Sequence, residues 1–245
     1  MARSRSTLVR VVVTLAALAV VLVGADLAAR AVATGRVERE LQTRLALPQR
    51  PEVSAAGGSF LLQALRGRYD DVSVTAARVP SGDVVLDDVR VLLPAVRVPL
   101  RALATGSGTA AVDAGTFTAS VGFAELVQQV DTGGLDVRLT RAGEDVRAST
   151  SVRVFGLGVE LALTVQPRLE GRSVRLVPLS AQAAGQEVPL ARARQLLRGT
   201  GVELLDGWTV ALDEVPAEVE VRSLRVTDGG VLARGDVLAT TAVLG

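Results

Sequence analysis

Residues 57–79 read GGSFLLQALRGRYDDVSVTAARV, and this stretch decides how the rest of the chain is organised. Its first half predicts a short helix with one apolar face, which a glycine at position 67 closes as a C-terminal cap. From position 72 onward, apolar and hydroxyl side chains alternate, which is the pattern of a β-strand. The stretch therefore predicts the point at which a helical front part gives way to a sheet.

An uncharged apolar segment, Val11–Ala25, begins the chain and follows three arginines at positions 3, 5 and 10. This order is typical of an export signal, and Val23-Gly24-Ala25 is an acceptable cleavage site. A membrane-spanning helix needs about 20 apolar residues, and Leu27-Ala28-Ala29 would extend the segment past Asp26. For residues 1–25 the sequence leaves open both a cleaved signal peptide and a retained membrane anchor.

A second helix is predicted from Asp26 to Leu47, because Val37, Leu41 and Leu45 recur at a spacing of four. Pro48 and Pro51 end it, since proline does not continue a helix. We expect this helix to cover a sheet.

Strand patterns with short turns between them fill most of the remaining chain. Their connections are too short for crossover helices, so the strands are expected to be antiparallel and the fold class α+β. We expect one continuous domain over residues 26–245. The predicted elements are strands at Val84–Leu93, Val96–Leu100, Thr109–Phe123, Leu135–Thr140, Val146–Phe155, Val159–Val165 and Val174–Val177, short helices at Phe123–Val130 and Leu190–Leu197, and a final hairpin over Val219–Leu244. Thr132-Gly133-Gly134 is expected to end the first of these helices, and residues 141–145 are predicted to form a hairpin loop between the strands that flank them.

The composition removes many kinds of chemistry. All 27 basic residues are arginine, and the chain contains no histidine, cysteine or lysine. This excludes a Ser-His-Asp triad, a cysteine nucleophile, a disulfide, a conventional zinc site and a Schiff-base lysine. The formal net charge is +1, or −2 without the three arginines of residues 1–25, and only 2% of the residues are aromatic. Such a surface argues against nucleic acid as a partner.

The acidic pairs Asp70-Asp71, Asp87-Asp88 and Glu144-Asp145 are the remaining candidates for acid–base or hard-metal chemistry. Neighbouring residues on a strand point to opposite faces, so neither of the first two pairs presents both carboxylates to one ligand. Solvated turn and strand-edge positions are therefore the favoured interpretation, and we predict no catalytic residues, no metal and no cofactor.

An apolar sheet with few helices to cover it either closes around a large core or leaves a concave face for a ligand. Small aliphatic side chains and few aromatic rings favour a groove that accepts acyl chains. Arg66 and Arg68 beside Tyr69 match a phosphate group, although a solvated basic turn is the simpler interpretation. The residues predicted to line the apolar groove are Phe60, Leu61, Leu62, Leu65, Phe117 and Phe123.

The same stretch resembles the actinobacterial LmeA-like family of envelope phospholipid-binding proteins. The matching residues are an aromatic-leucine cluster, the pattern Leu-x-Gly-x-Tyr over residues 65–69 and an alternating strand, although Gly58-Ser59 stands where the family tends to have Phe-Pro. The positions that carry the resemblance are Phe60-Leu61, Leu65, Gly67, Tyr69, Val72 and Val74, the turn Gly185-Gln186-Glu187-Val188-Pro189, and the closing Val219, Val221, Leu224, Val226 and Asp228-Gly229-Gly230.

The resemblance implies a long curved antiparallel sheet wrapped on a long N-terminal helix, similar to tubular lipid-binding (TULIP/BPI-like) domains. It also implies an exported, membrane-associated protein of the cell envelope that binds phospholipid, with an anionic headgroup expected, and that supports lipid or lipoglycan biogenesis. Two other hypotheses remain open: a membrane-anchored scaffold subunit that binds a protein partner, and a carboxylate-dependent hydrolase of envelope glycans.

Overall fold

The computed structural model of the chain describes residues 3–82, 84–105, 107–128, 135–154, 157–197, 208–212 and 215–244. Within these ranges a long N-terminal helix precedes two antiparallel sheets and four short helices, so the α+β class is confirmed. The helices are α1 (Arg3–Arg44), α2 (Phe60–Arg66), α3 (Leu100–Thr105), α4 (Phe123–Gln128) and α5 (Leu190–Leu197). The strands are β1 (Glu52–Ala55), β2 (Arg68–Ser81), β3 (Val84–Arg97), β4 (Gly108–Val112), β5 (Gly115–Gly122), β6 (Arg138–Ala142), β7 (Asp145–Val154), β8 (Leu157–Glu170), β9 (Ser173–Ala183), β10 (Gln186–Val188), β11 (Trp208–Ala211), β12 (Val219–Val226), β13 (Gly230–Val237) and β14 (Thr240–Leu244).

Helix α1 joins the apolar segment and the second predicted helix into one element of 42 residues, which is about 63 Å long at 1.5 Å per residue. Side chains 14–25 are all exposed, whereas Ala29 and Ala33 pack against a buried cluster at one end of the larger sheet. The main contacts of α1 are with the edge strand β1 and with α2. The expected wrapping of a sheet around this helix is therefore not what the structure shows, because α1 lies at the sheet's edge.

The larger sheet has eight strands in the order β1-β2-β3-β5-β13-β12, and β4 and β14 branch from it. Strand β3 runs unbroken through Pro94, so the prediction of two strands separated by that proline was wrong. Pro94 lies between the residues of β3 that pair with β5, up to Leu92, and those that pair with β4, from Val96 onward. No ladder hydrogen bond is lost at Pro94, since neither neighbour pairs with it.

Both Asp-Asp pairs mark irregular points of the β2–β3 ladder. Asp71 and Asp88 each have a φ of 50°, the left-handed conformation that aspartate tolerates better than most residues. The Cα pairing of β2 with β3 omits both residues together with Pro94. The second aspartate of each pair thus lies at an interruption of the pairing between two long strands.

The smaller sheet has six strands in the order β10-β9-β8-β7-β6, with β11 also paired to β9. The predicted hairpin around residues 141–145 is confirmed, and its turn is Gly143-Glu144 between β6 and β7. Two sheets replace the expected single sheet, because no ladder joins β6 or β10 to a strand of the larger one in the described ranges. At the C-terminal end, β14 leaves β13 and pairs with β4, so the predicted final hairpin comprises β12 and β13 only.

Two buried clusters hold the molecule together. One lies between α4, α5 and the smaller sheet and includes Phe123, Val146 and Leu163. The other lies between α1, α2, α3 and the end of the larger sheet and includes Phe60 and Tyr69. The predicted helices at 123–130 and 190–197 are confirmed as α4 and α5, although Val130 and the turn predicted at residues 132–134 lie outside the described residues.

The two buried clusters contain few residues for a chain of this size. The accessible surface is 15446 Å² for 25.4 kDa, whereas a compact monomer of that mass exposes about 10,300 Å². Much of the difference follows from the exposed part of α1 and from sheets with incompletely covered faces. An open sheet architecture leaves apolar surface accessible to ligands.

Gly235 of β13 should be sensitive to substitution. An added Cβ would lie 2.0 Å from the carbonyl oxygen of Glu220 and 2.6 Å from the Phe117 ring, and such overpacking costs about 1–3 kcal/mol. We therefore expect Gly235→Ala to lower the free energy of unfolding measured by chemical denaturation. Gly229→Ala is the control, because a Cβ there meets nothing within 4 Å; equal stability of the two variants would contradict the packing of β5, β12 and β13.

Candidate functional site

An open cleft lies where the larger sheet divides into two arms. Strand β3 pairs with β5 as far as Leu92 and with β4 from Val96 onward. The chain turns at Asp113-Ala114 between β4 and β5, and at positions 238–239 between β13 and β14. These three interruptions leave a space of about 460 Å³ between the arms, which we call the fork cleft. Ligand pockets in proteins are typically about 300–1,000 Å³.

The lining of the fork cleft is mainly aliphatic. Leu92 and Leu238 are about half exposed at its opening, and Val72 also packs against the buried cluster under α2. Aliphatic walls with an opening to solvent suit a hydrocarbon chain, which gains free energy by leaving water. The lining residues are Asp71, Val72, Leu92, Leu93, Pro94, Ala114, Gly115, Thr116, Asp236, Val237 and Leu238.

The charged groups of the cleft are two carboxylates, and its lining contains no arginine. Asp236 accepts a hydrogen bond of 2.8 Å from Nε of Arg222, whose second nitrogen lies 2.8 Å from Glu220. The hydrogen bond that Arg222 donates to Asp236, together with the negative charge of Glu220, raises the pKa of the Arg222 guanidinium. Arg222 therefore offsets one cleft carboxylate, and the exposed Asp71 forms no ion pair among the residues that the structure describes.

Helix α2 lies at the same end of the larger sheet and is attached to α1. The Oδ1 atom of Asp26 accepts hydrogen bonds from the Ser59 hydroxyl at 2.6 Å and from the Leu61 amide at 2.8 Å. Arg30 donates to the carbonyl oxygen of Gly58 at 2.7 Å. Ser59 is the N-cap of α2, so these contacts satisfy donors that a helix start leaves without partners.

Gly67 ends α2 as the sequence predicted. Its φ is 65°, in the left-handed region that glycine adopts without a steric penalty, and its amide bonds to the last turn of the helix. The buried amide side chain of Gln63 connects α2 to β2, because its oxygen accepts the Asp70 amide proton at 2.9 Å. Asp70 is adjacent in sequence to Asp71, which lines the fork cleft. The hydrogen bond between Gln63 and Asp70 therefore connects α2 to one wall of the cleft.

The predicted apolar contacts separate into buried and exposed groups. Phe60 and Phe123 are buried in the two clusters, and Phe117 is partly buried in β5. Leu62 and Leu65 on the outer side of α2 are 51% and 73% exposed, and Leu61 is partly buried. None of these six residues lines the fork cleft.

The three predicted headgroup contacts also differ. Tyr69 is buried, its ring centroid lies 5.5 Å from that of Phe60, and burial raises the pKa of its hydroxyl. Arg68 forms a 2.9 Å ion pair with Asp70. Arg66 is exposed and, unlike Arg68, has no ion pair within the described part of the chain.

Sequence reasoning missed the cleft lining and the contacts of Asp26. A proline inside an alternating strand was the available signal for the cleft, and one acidic residue at the end of an apolar segment was the signal for Asp26. Neither signal identifies its partners, because strand pairing and helix docking depend on residues distant in sequence.

Comparison with known families gives one match. A family model described as LmeA-like phospholipid-binding covers residues 24–236 of the 245-residue chain. No curated protein and no solved structure gives a significant match, so the similarity to tubular lipid-binding domains stays a prediction.

Removing the Asp26 side chain should loosen α2. Asp26→Ala deletes the acceptor for Ser59 and Leu61, so we expect faster hydrogen–deuterium exchange in a peptide covering residues 57–67 and unchanged exchange in one covering β8. Asp136→Ala is the matched control, since Asp136 is exposed and has no hydrogen bond among the described residues. Unchanged exchange at 57–67 in Asp26→Ala would show that these contacts do not hold α2.

Tyr69→Phe should keep or raise stability. The Tyr69 hydroxyl is buried and has no hydrogen-bond partner among the residues that the structure describes, and such a group costs about 1–3 kcal/mol. We expect chemical denaturation of Tyr69→Phe to give a free energy of unfolding at or above that of the original chain, whereas Tyr69→Ala should lose about 3–5 kcal/mol, as other large aromatic truncations do. A clear loss in Tyr69→Phe would indicate a partner for the hydroxyl.

Proposed function

Because this chain belongs to the LmeA-like phospholipid-binding family, we propose that it binds a phospholipid outside the cytoplasm and carries out no reaction on it. The observation that carries this proposal is the family match over residues 24–236. The fork cleft supports it, because that space has the size and the aliphatic lining that an acyl chain requires.

Binding in this proposal derives mainly from burial of hydrocarbon. Each methylene group removed from water contributes about 0.8 kcal/mol, so even part of an acyl chain between the two arms gives useful affinity. The opening beside Leu92 and Leu238 allows a chain to enter lengthwise while the polar end of the lipid stays in solvent. We place the acyl chain against β3, the β4–β5 turn and the end of β13.

The proposed ligand is a phospholipid with an anionic headgroup. Among the three predicted phosphate contacts, Arg66 is the accessible one, because Arg68 is paired with Asp70 and Tyr69 is buried. A guanidinium group binds phosphate oxygens with two hydrogen bonds. The three leucines of α2 (Leu61, Leu62 and Leu65) and the three phenylalanines of the predicted groove stay predicted lipid contacts.

The proposed location is the cell envelope of an actinobacterium, where the protein supports lipid or lipoglycan biogenesis. The support for a location outside the cytoplasm is the basic and apolar N-terminus. Among the described residues, α1 is a helix long and apolar enough to cross a membrane, and its most apolar part is not buried in the protein. Such a segment fits an export signal or an anchor.

Filling the fork cleft should remove the bound lipid. Ala114 is exposed in the β4–β5 turn and lines the cleft, so Ala114→Trp places an indole where the acyl chain is proposed to lie. We expect native mass spectrometry of the purified protein to show bound phospholipid and Ala114→Trp to show a several-fold smaller lipid-bound fraction.

Ala124→Trp is the matched control, because Ala124 is exposed on α4, which follows the far end of β5. If Ala114→Trp has the same lipid-bound fraction as the original chain, the lipid binds outside the fork cleft. Absence of lipid from the original chain, together with no binding to phosphatidylglycerol vesicles, would refute the proposed function itself.

A further inference from the structure

We propose that the outer face of α2, formed by Leu62 and Leu65, lies in the interfacial layer of the same bilayer that holds the apolar part of α1. The inference rests on the proposed location at the envelope membrane and takes the anchor alternative, in which residues 1–25 stay in the protein. It assigns to α2 a contact with a lipid surface that is separate from ligand binding in the fork cleft.

The composition of α2 is the first observation. Phe60, Gln63 and Ala64 face the protein and are buried. The opposite face carries Leu62 and Leu65, which are 51% and 73% exposed, and ends in Arg66. Helix α2 has seven residues and is apolar on both faces. The protein core covers only the face that contains Phe60, so the face formed by Leu62 and Leu65 stays exposed.

The position of α2 is the second observation. Its start is bound by Asp26 at 2.6 and 2.8 Å and by Arg30 at 2.7 Å. Asp26 comes directly after side chains 14–25, which are exposed and mostly apolar, and Arg30 follows about one helical turn later. The leucines of α2 therefore continue the apolar surface of α1 at the point where the domain begins.

The cost of placing charge in hydrocarbon sets the depth in the bilayer at which α1 and α2 meet. A charged side chain is costly in the hydrocarbon layer, so Asp26 and Arg30 mark the place where α1 leaves it. Successive residues of a helix rise by only 1.5 Å, so an element bound to positions 26 and 30 stays close to that boundary. A short helix with leucines on one face and arginine at its end suits the interfacial layer, where apolar side chains enter the lipid and cations meet phosphates.

The contact has a consequence for the fork cleft. Gln63 of α2 bonds to the backbone of Asp70 at 2.9 Å, and Val72 belongs both to the cluster under α2 and to the cleft lining. Seating α2 on the bilayer thus holds the cleft near the membrane from which a phospholipid is taken or to which it is delivered.

The chain contains no cysteine, so one introduced cysteine gives a unique labelling site. Leu62→Cys and Leu65→Cys would each be labelled with the environment-sensitive dye NBD in the full-length protein, reconstituted into phosphatidylcholine–phosphatidylglycerol vesicles. We expect a blue-shifted emission at both positions and several-fold stronger quenching by lipids that carry a nitroxide near the headgroup than by a soluble nitroxide.

Two further cysteine variants, labelled in the same way, serve as controls. Val20→Cys in the exposed apolar part of α1 reports on insertion, and Leu179→Cys on β9 is a leucine of comparable exposure on the other sheet. Labels at 62 and 65 that behave like the label at 179 would overturn the inference, and so would labels shielded from both quenchers, which would indicate a protein partner on α2. Native mass spectrometry of the unlabelled protein tests lipid binding separately, so failure of either proposal is recognised without the other.

Discussion

The architecture depends on the change of pairing partner along β3. This strand pairs with β2 along almost its whole length, whereas on its other side it pairs first with β5 and then with β4. Buried backbone groups need hydrogen-bond partners, so a change of partner is tolerated only where the unpaired positions are few or open to solvent. Pro94 meets this condition because it has no amide proton, and the facing Asp71 adopts a left-handed conformation. The fork cleft is the space that this change of partner leaves between the arms.

Small side chains explain why the space is not filled. The buried residues are mostly alanine and valine, and the chain has four phenylalanines, one tyrosine and one tryptophan in 245 residues. Aromatic rings bury the largest areas in protein cores, so a chain with so few of them covers its sheets incompletely. Two of the phenylalanines, Phe60 and Phe123, are each placed in one of the two buried clusters. These two rings thus stabilise the clusters, while most side chains of the larger sheet stay partly or fully exposed.

Local features of the fold follow from the sequence, and its nonlocal features do not. The limits of α2, its glycine cap, α5 and the β6–β7 turn could be predicted, because a few neighbouring residues determine each of them. The continuity of β3 could not, since a proline ends a strand or is tolerated depending on what lies beside it. The division into two sheets and the pairing of β14 with β4 depend on contacts between distant parts of the chain. For the same reason, sequence patterns identified apolar candidates such as Phe60 and Leu65 but not the lining of the cleft.

The structural role of Asp26 is evident from the tertiary structure and not from the sequence. In the sequence it is a charge that interrupts an apolar segment, which argues only that the segment is short. In the structure its carboxylate binds the first turn of α2, and α2 in turn is joined through Gln63 to the strand that lines the fork cleft. A carboxylate at the start of a second helix is favoured by the orphan amides and by the helix dipole. The residue that ends the apolar segment is therefore also the one that sets the position of α2 and of the strand beside the fork cleft relative to it.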